Sequence, residues 1–301
     1  MSDSGVIHNF NHQALGSRFW IRIADEDYAF AERAAESIFY TLDRLDAEFS
    51  TDGSKGTLTT INQLPKGEMI SVSEDFCKLW KFAETFQKET AGAFDVTAGG
   101  LFRYWAERGS DEFNPDDLIW EKTFQDYQKG KFILEGNELR RKECGSLIDF
   151  SAVIHGYACD RMAEMLESNW GIHRAILGAG SNVVLALDPP GEAKGWRVGL
   201  GHTLELKLCR TALASKPNHS IKSCLVNPLT GHAVKLSQDA IRAVANTALE
   251  AEALTTIGLF STQAEIESLL SRVTTRGLWL PGGECLGMFK NLDLVNRNAN
   301  Y

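Results

Sequence analysis

The sequence predicts an α+β protein in which mixed or antiparallel sheets pack against helices. Short runs with alternating apolar residues recur along the chain, and helical patterns fall between them. The two kinds of segment do not follow the strict βαβ rhythm that a barrel or a doubly wound sheet imposes. No internal repeat, low-complexity tract or flexible linker divides the chain, so one body is expected.

Phe19, Ile21 and Ile23 alternate within Ser17 to Ala24 and predict a strand. From Tyr28 to Phe49, the residues Phe30, Ala34, Ile38, Leu42, Leu45 and Phe49 fall at helical spacing. Thr51 to Gly56 reads as a polar loop, and Phe76, Leu79, Trp80 and Ala83 mark a helix ending near Ala91-Gly92. Phe113 to Cys144 is polar and turn-rich, with strand-like runs at Lys131 to Glu135 and around Leu139 joined by Gly136-Asn137. Leu147 to Ile154 reads as an apolar strand that breaks at His155-Gly156 and runs into an amphipathic helix. Further strands are expected at Arg174–Leu177, Val183–Leu187, Trp196–Leu200 and Leu204–Leu208. A long helix is expected from about Gln238 to Gly258, and Thr262 with Glu265 forms a capping box for another. Gly277 to Pro281 and Cys285 to Phe289 close the chain as strands.

Composition narrows the function classes. The 301 residues suffice for a large core, and 44% hydrophobic with 24% charged residues is ordinary for a globular protein. A net charge of −9 without a basic stripe argues against nucleic acid and favours a small-molecule or protein partner. The six cysteines lack any C-x-x-C spacing and are expected to be reduced thiols. The first residues carry neither a basic nor an apolar leader segment, and no apolar run approaches the ~20 residues of a membrane span. A cytoplasmic protein that does not engage a membrane is therefore expected.

Several constellations are candidates for chemistry, each with a plainer alternative. Glu252 and Thr256 lie four residues apart on one helical face, where a carboxylate and a hydroxyl suit a hard divalent cation. The alternative is an exposed carboxylate and a threonine bonded to its own helix. Gly92 to Leu101 gathers glycine, Asp95 and Thr97 at a helix exit, where Asp95 would otherwise simply cap Thr97. His155 and His219 are candidate acid/base groups or satisfied structural histidines, and Cys224 is a nucleophile or a small buried hydrophobe. Gly178-Ala179-Gly180 follows a strand but lacks the third glycine and the helix of a dinucleotide fingerprint.

Taken in order, these segments resemble the ApbE flavin transferase family. Gln13 to Ser17 is similar to its M-G-T opening, and Phe49-Ser50 through Asn62 to its F-S…S-E-L…N segment. Gly92 to Thr97, with Leu101 and Trp105, resembles G-A-F-D-V-T…L…W; Ile148-Asp149 and Gly156 to Asp160 resemble I-D-L-G-G-I-A-K-G-Y-A-V-D. Asn227 to Gly231 is similar to D-P-R-T-G, and Ala251 to Thr256 to A-D-A-L-A-T.

The resemblance implies a T-fold-related, two-lobed single body over residues 14–290, with 1–13 and 291–301 as terminal extensions. It implies Mg²⁺-dependent attack by a Thr or Ser hydroxyl of an acceptor flavoprotein on the FMN-side phosphorus of FAD, releasing AMP. By position, Glu252, Thr256 and the Ile154 carbonyl would hold Mg²⁺. Asn62, Ala93, Phe94, Asp95, Gly156, Asp160 and Gly180 would border FAD, and His155, Cys224 or Asp95 would handle protons. The chain departs from the pattern at His155 for K, Gly180-Ser181-Asn182 for G-G-D, Ala214-Ser215-Lys216 for T-S-G, Cys224 for H, Asn227 for D, and Glu252 for the metal aspartate. A relative that binds or hydrolyses FAD without transferring it, or a non-catalytic binding protein, is the alternative.

Overall fold

The chain was analysed as a computed structural model, which describes residues 6–50, 56–108, 118–201, 204–216, 226–234, 240–292 and 294–296. Strand β1 (Ile7–Ala14) pairs antiparallel with β2 (Ser17–Ala24) across Leu15-Gly16, both at positive φ. Helix α1 (Tyr28–Phe49) begins where Asp27 accepts from the Phe30 N–H and buries an apolar stripe from Ala31 to Phe49. Helix α2 (Thr57–Gln63), strand β3 (Met69–Ser71) and helix α3 (Glu74–Glu89), capped by Ser73, follow. Helices α4 (Gly99–Arg108) and α5 (Leu118–Lys129) precede the hairpin of β4 (Lys131–Glu135) and β5 (Glu138–Glu143).

Helix α6 (Ile154–Trp170) leads to β6 (Ala175–Ala179), β7 (Val183–Ala186), β8 (Trp196–Gly199), β9 (Leu204–Leu208) and β10 (Thr211–Lys216). The short pair β11 (Val226–Asn227) and β12 (His232–Ala233) precedes β13 (Ile241–Ala245) and α7 (Ala248–Ile257). Helix α8 (Gln263–Ser271), with its capping box, β14 (Gly277–Trp279), β15 (Cys285–Gly287), a 3-10 turn (Met288–Asn291) and β16 (Leu294–Asn296) complete the order.

One antiparallel sheet is the spine, in the order β1-β2-β6-β7-β10-β13-β14-β15. Its central strands are buried on both faces, and the two-residue period divides their side chains between two cores. Leu177, Val183, Leu185, Ala212, Ala214, Ile241 and Ala243 join α1, α6 and α7 on one face. Ile176, Val184, Leu213 and Val244 meet Trp196, Leu206 and Leu208 of the β16-β9-β8 sheet on the other. A third cluster joins Leu101, Tyr104 and Trp105 of α4 to Val226 and Ala233.

The structure corrects several expectations. Residues 147–153 form no strand among the described elements; they run beside 96–99 through Gly99 N–H to Leu147 O and Asp149 N–H to Val96 O, then turn at Phe150–Val153. His155-Gly156 is no chain break but the first turn of α6. The helix expected from Gln238 to Gly258 divides into β13 and α7, because Ile241, Ala243 and Ala245 alternate toward one core before Thr247 caps the helix. Part of the turn-rich 113–144 region is helix α5, and a strand not expected from the pattern, β1, precedes the Ser17–Ala24 strand.

Candidate functional site

A cavity of about 570 Å³ opens where the start of α6, one face of α7 and the ends of β7 and β10 meet the 93–106 segment. It is the larger of the two cavities described. Phe102, Arg103 and Ala106 of α4 line one side, Ile148, Asp149 and Ser151 another, and Val226 with Pro228 the rim.

The chemistry concentrates at α7. Glu252 and Thr256, one helical turn apart, both line the cavity and are only 6% and 7% exposed. The Gly156 N–H donates to Glu252 Oε2 at 2.7 Å, and His155 Nδ1 stands 3.4 Å from Oε1. Gly156 is required by the approach of α6 to α7, since a Cβ there would lie 2.4 Å from the Ala248 carbonyl oxygen. His155 Nε2 faces the Leu15 carbonyl at 3.0 Å, so both ring nitrogens address acceptors and the doubly protonated ring fits best. Burial works against that charge, but Glu252 and the Leu15 carbonyl outweigh it and hold the imidazole above its ordinary pKa.

Lys216, at the end of β10, reaches across and donates from Nζ to Thr256 Oγ1 at 2.5 Å. Burial of the ammonium lowers its pKa to about 8, with the charge of Glu252 pulling the other way. Thr256 Oγ1 also lies 3.3 Å from the Glu252 carbonyl of its own helix.

The remaining walls are held by side chain to backbone bonds. Asn62 donates from Nδ2 to Ile148 O at 2.8 Å and accepts from Ile148 N–H at 2.7 Å, so one amide fixes the strip opposite α4. Asp95 accepts from Thr97 N–H, Thr97 Oγ1–H, Gln87 Nε2–H and Tyr127 O–H at 2.7 to 2.8 Å. These bonds shape the loop, and the side chain also lines the cavity. Trp105 and Trp120 both donate from Nε1 to Gly231 O, tying α4 and α5 to the turn after Pro228.

Asn62, Ala93, Phe94, Asp95, His155, Glu252 and Thr256 therefore share one cavity. Ile154 and Gly156 are buried just behind its wall, and Gly180 lies in the β6–β7 turn with φ +54°, beside Asn182, which does reach the cavity. Asp160 does not line it. Its carboxylate accepts from Ala248 N–H at 2.7 Å and Leu249 N–H at 2.9 Å, capping α7, and burial pushes it up to about 7 although those amides pull it down. Cys224 and His219 lie outside the described residues. Sequence reasoning missed Arg103 as a lining group; Asn182, Ser215 and Lys216 were signalled only as departures within Gly180-Ser181-Asn182 and Ala214-Ser215-Lys216.

The donor set does not fit Mg²⁺, a cation that takes one or two free carboxylates and completes its octahedron with water and phosphate oxygens. Both Glu252 oxygens already face Gly156 N–H and His155 Nδ1, and Thr256 Oγ1 carries the Lys216 ammonium. Among the described residues no group of three or more His, Cys, Asp or Glu side chains is arranged to hold a metal.

Comparison with known proteins agrees with the motif order. The ApbE family matches residues 15–278. A FAD:protein FMN transferase of Klebsiella pneumoniae is 25% identical over 268 residues, covering 80% of this chain and 74% of its own. The Haemophilus influenzae protein of that name is 23% identical over 282 residues, covering 82% and 78%. Among solved structures, apo flavinyl transferase ApbE of Pseudomonas stutzeri superposes with a TM-score of 0.78 at 17% identity, covering 98% of this chain and 97% of its own. The Thermotoga maritima ApbE protein gives 0.79 at 22% identity, covering 95% and 99%. Such structural likeness shows the shared α+β fold.

Proposed function

The chain belongs to the ApbE family, and from that premise we propose that it is a FAD:protein FMN transferase acting in the cytoplasm on an acceptor flavoprotein. The observation that carries the reading is the cavity in which Asn62, Phe94, His155, Glu252 and Thr256, drawn from four separate motifs, converge. Its volume of about 570 Å³ lies within the range of small-molecule and cofactor pockets. Apolar walls at Phe94, Phe102 and Val183 suit a flavin ring, whereas Lys216, His155 and Arg103 suit the diphosphate.

In the proposed reaction a Thr or Ser hydroxyl oxygen of the acceptor bonds to the FMN-side phosphorus. The bridging P–O bond breaks, AMP leaves with its electron pair, and the hydroxyl proton is released. A pyrophosphate repels a nucleophile by its own charge, so cationic groups set before substrate arrives lower the barrier electrostatically. Lys216 is such a group, and the acceptors facing both ring nitrogens of His155 favour its protonated form. No step is routed through Mg²⁺, for which the donor set does not fit.

The test is incubation of the full chain with FAD and a flavoprotein encoded beside it, reading AMP by chromatography and covalent flavin by in-gel fluorescence. AMP with a fluorescent acceptor band supports transfer. AMP without the band supports FAD hydrolysis, and neither product, with FAD still bound, supports a binding protein.

A further inference from the structure

We propose that Lys216 is a built-in cation that replaces the divalent ion of this site. Its ammonium stands on the Thr256 hydroxyl at 2.5 Å, inside the cavity that also exposes Glu252 and Ser215. The identity of the anion it faces, the diphosphate of FAD, rests on the function proposed above; the placement of the charge does not.

The strand network fixes where this ammonium can go. Lys216 pairs with Ile241 at the end of β10, and β10 lies between β7 and β13 while α7 packs against it. Its side chain therefore starts from a rigid ladder and ends on the helix that bears Glu252. The Glu252 carboxylate is turned toward Gly156 N–H and His155, which leaves Thr256 Oγ1 to the lysine. A divalent ion bound to Thr256 would sit beside this ammonium and be repelled by like charge, with the Glu252 carboxylate already turned to other donors. A lysine supplies one positive charge and three donors that cannot be removed by a chelator.

The experiment is a Mn²⁺ titration followed by electron paramagnetic resonance, on wild type, Lys216→Ala, Lys216→Met and Glu252→Gln full-length proteins. Circular dichroism checks that each is folded, and FAD binding is read by fluorescence anisotropy in the same samples with EDTA or Mg²⁺. Wild type is expected to show no saturable Mn²⁺ site and the same FAD affinity in EDTA as in Mg²⁺. Lys216→Ala, relieved of the competing charge, is expected to bind one Mn²⁺ at least about ten-fold tighter than wild type, with Lys216→Met between them because its stem still fills the space. Saturable Mn²⁺ binding by wild type that Glu252→Gln abolishes would overturn the proposal. So would a folded Lys216→Ala protein that gains no Mn²⁺ site. Failure of wild type to bind FAD would instead refute the proposed function and leave the Mn²⁺ comparison intact.

Discussion

Gly156→Ala is the sharpest probe of how the site is held. An added Cβ would lie 2.4 Å from Ala248 O, 2.6 Å from Ala248 C and 2.8 Å from Leu249 N, all backbone atoms that no rotamer change can move. Ordinary contact begins near 3.4 Å, so α6 and α7 must separate by about 1 Å. The Gly156 N–H bond to Glu252 at 2.7 Å and the Asp160 bonds to Ala248 and Leu249 at 2.7 and 2.9 Å span the same gap. A separation of that size stretches them past useful range. Overpacking costs about 1–3 kcal/mol, and a weakened bond to a charged group adds about 1.5–3 kcal/mol. The better helix propensity of alanine returns only about 1 kcal/mol. A net loss of about 3 kcal/mol is expected in urea unfolding, with weaker FAD binding by anisotropy. A variant as stable as wild type, with unchanged FAD affinity, would refute the claim that close helix approach sets the site.

Asn62→Ala leaves both the N–H and the C=O of Ile148 without their side-chain partner and should cost about 2 kcal/mol in denaturant unfolding; FAD affinity should fall with it. Gly231→Ala places a Cβ 2.6 Å from the Phe124 ring at a residue with φ +70°, for an expected cost of about 2–4 kcal/mol. Tryptophan fluorescence reports it, because Trp105 and Trp120 both donate to the Gly231 carbonyl. Asp160 makes a pH signature: its folded pKa of about 7 lies above the ordinary carboxylate value. Its contribution to stability is therefore fully present below about pH 4 and is lost as pH rises through 7. Replacing it by Asn should narrow the stability gap to wild type between pH 4 and 8 by about 2–4 kcal/mol; parallel urea-unfolding profiles over that range would contradict it.

Much of the scaffold was legible because local patterns and tertiary packing agreed. The Tyr28–Phe49 stripe, the Thr262/Glu265 capping box and the Gly136-Asn137 hairpin each specify their element through nearest neighbours. The 238–258 region misled because Ile241, Ala243 and Ala245 are compatible with helix locally, whereas pairing with β10 and β14 decides for strand. Gly156 was visible as a glycine, but its reason, the approach of α7 from 92 residues later in sequence, is not a local property. The same divide runs through the site. Glu252 and Thr256 share a face by helical arithmetic alone, yet the contact of Lys216 with Thr256 joins a strand to a helix. At His155, which stands for K, the groups facing the two ring nitrogens, Glu252 and Leu15, come from distant parts of the chain and leave no local signal.

A crystal structure of the full chain grown with FAD and EDTA decides where the diphosphate sits without a metal. The diphosphate is expected in the cavity beside α7, within hydrogen-bond reach of Lys216 Nζ and close to His155, with the flavin ring toward Phe94 and Phe102. FAD bound elsewhere, or a cavity that stays closed to FAD at saturating concentration, would contradict it.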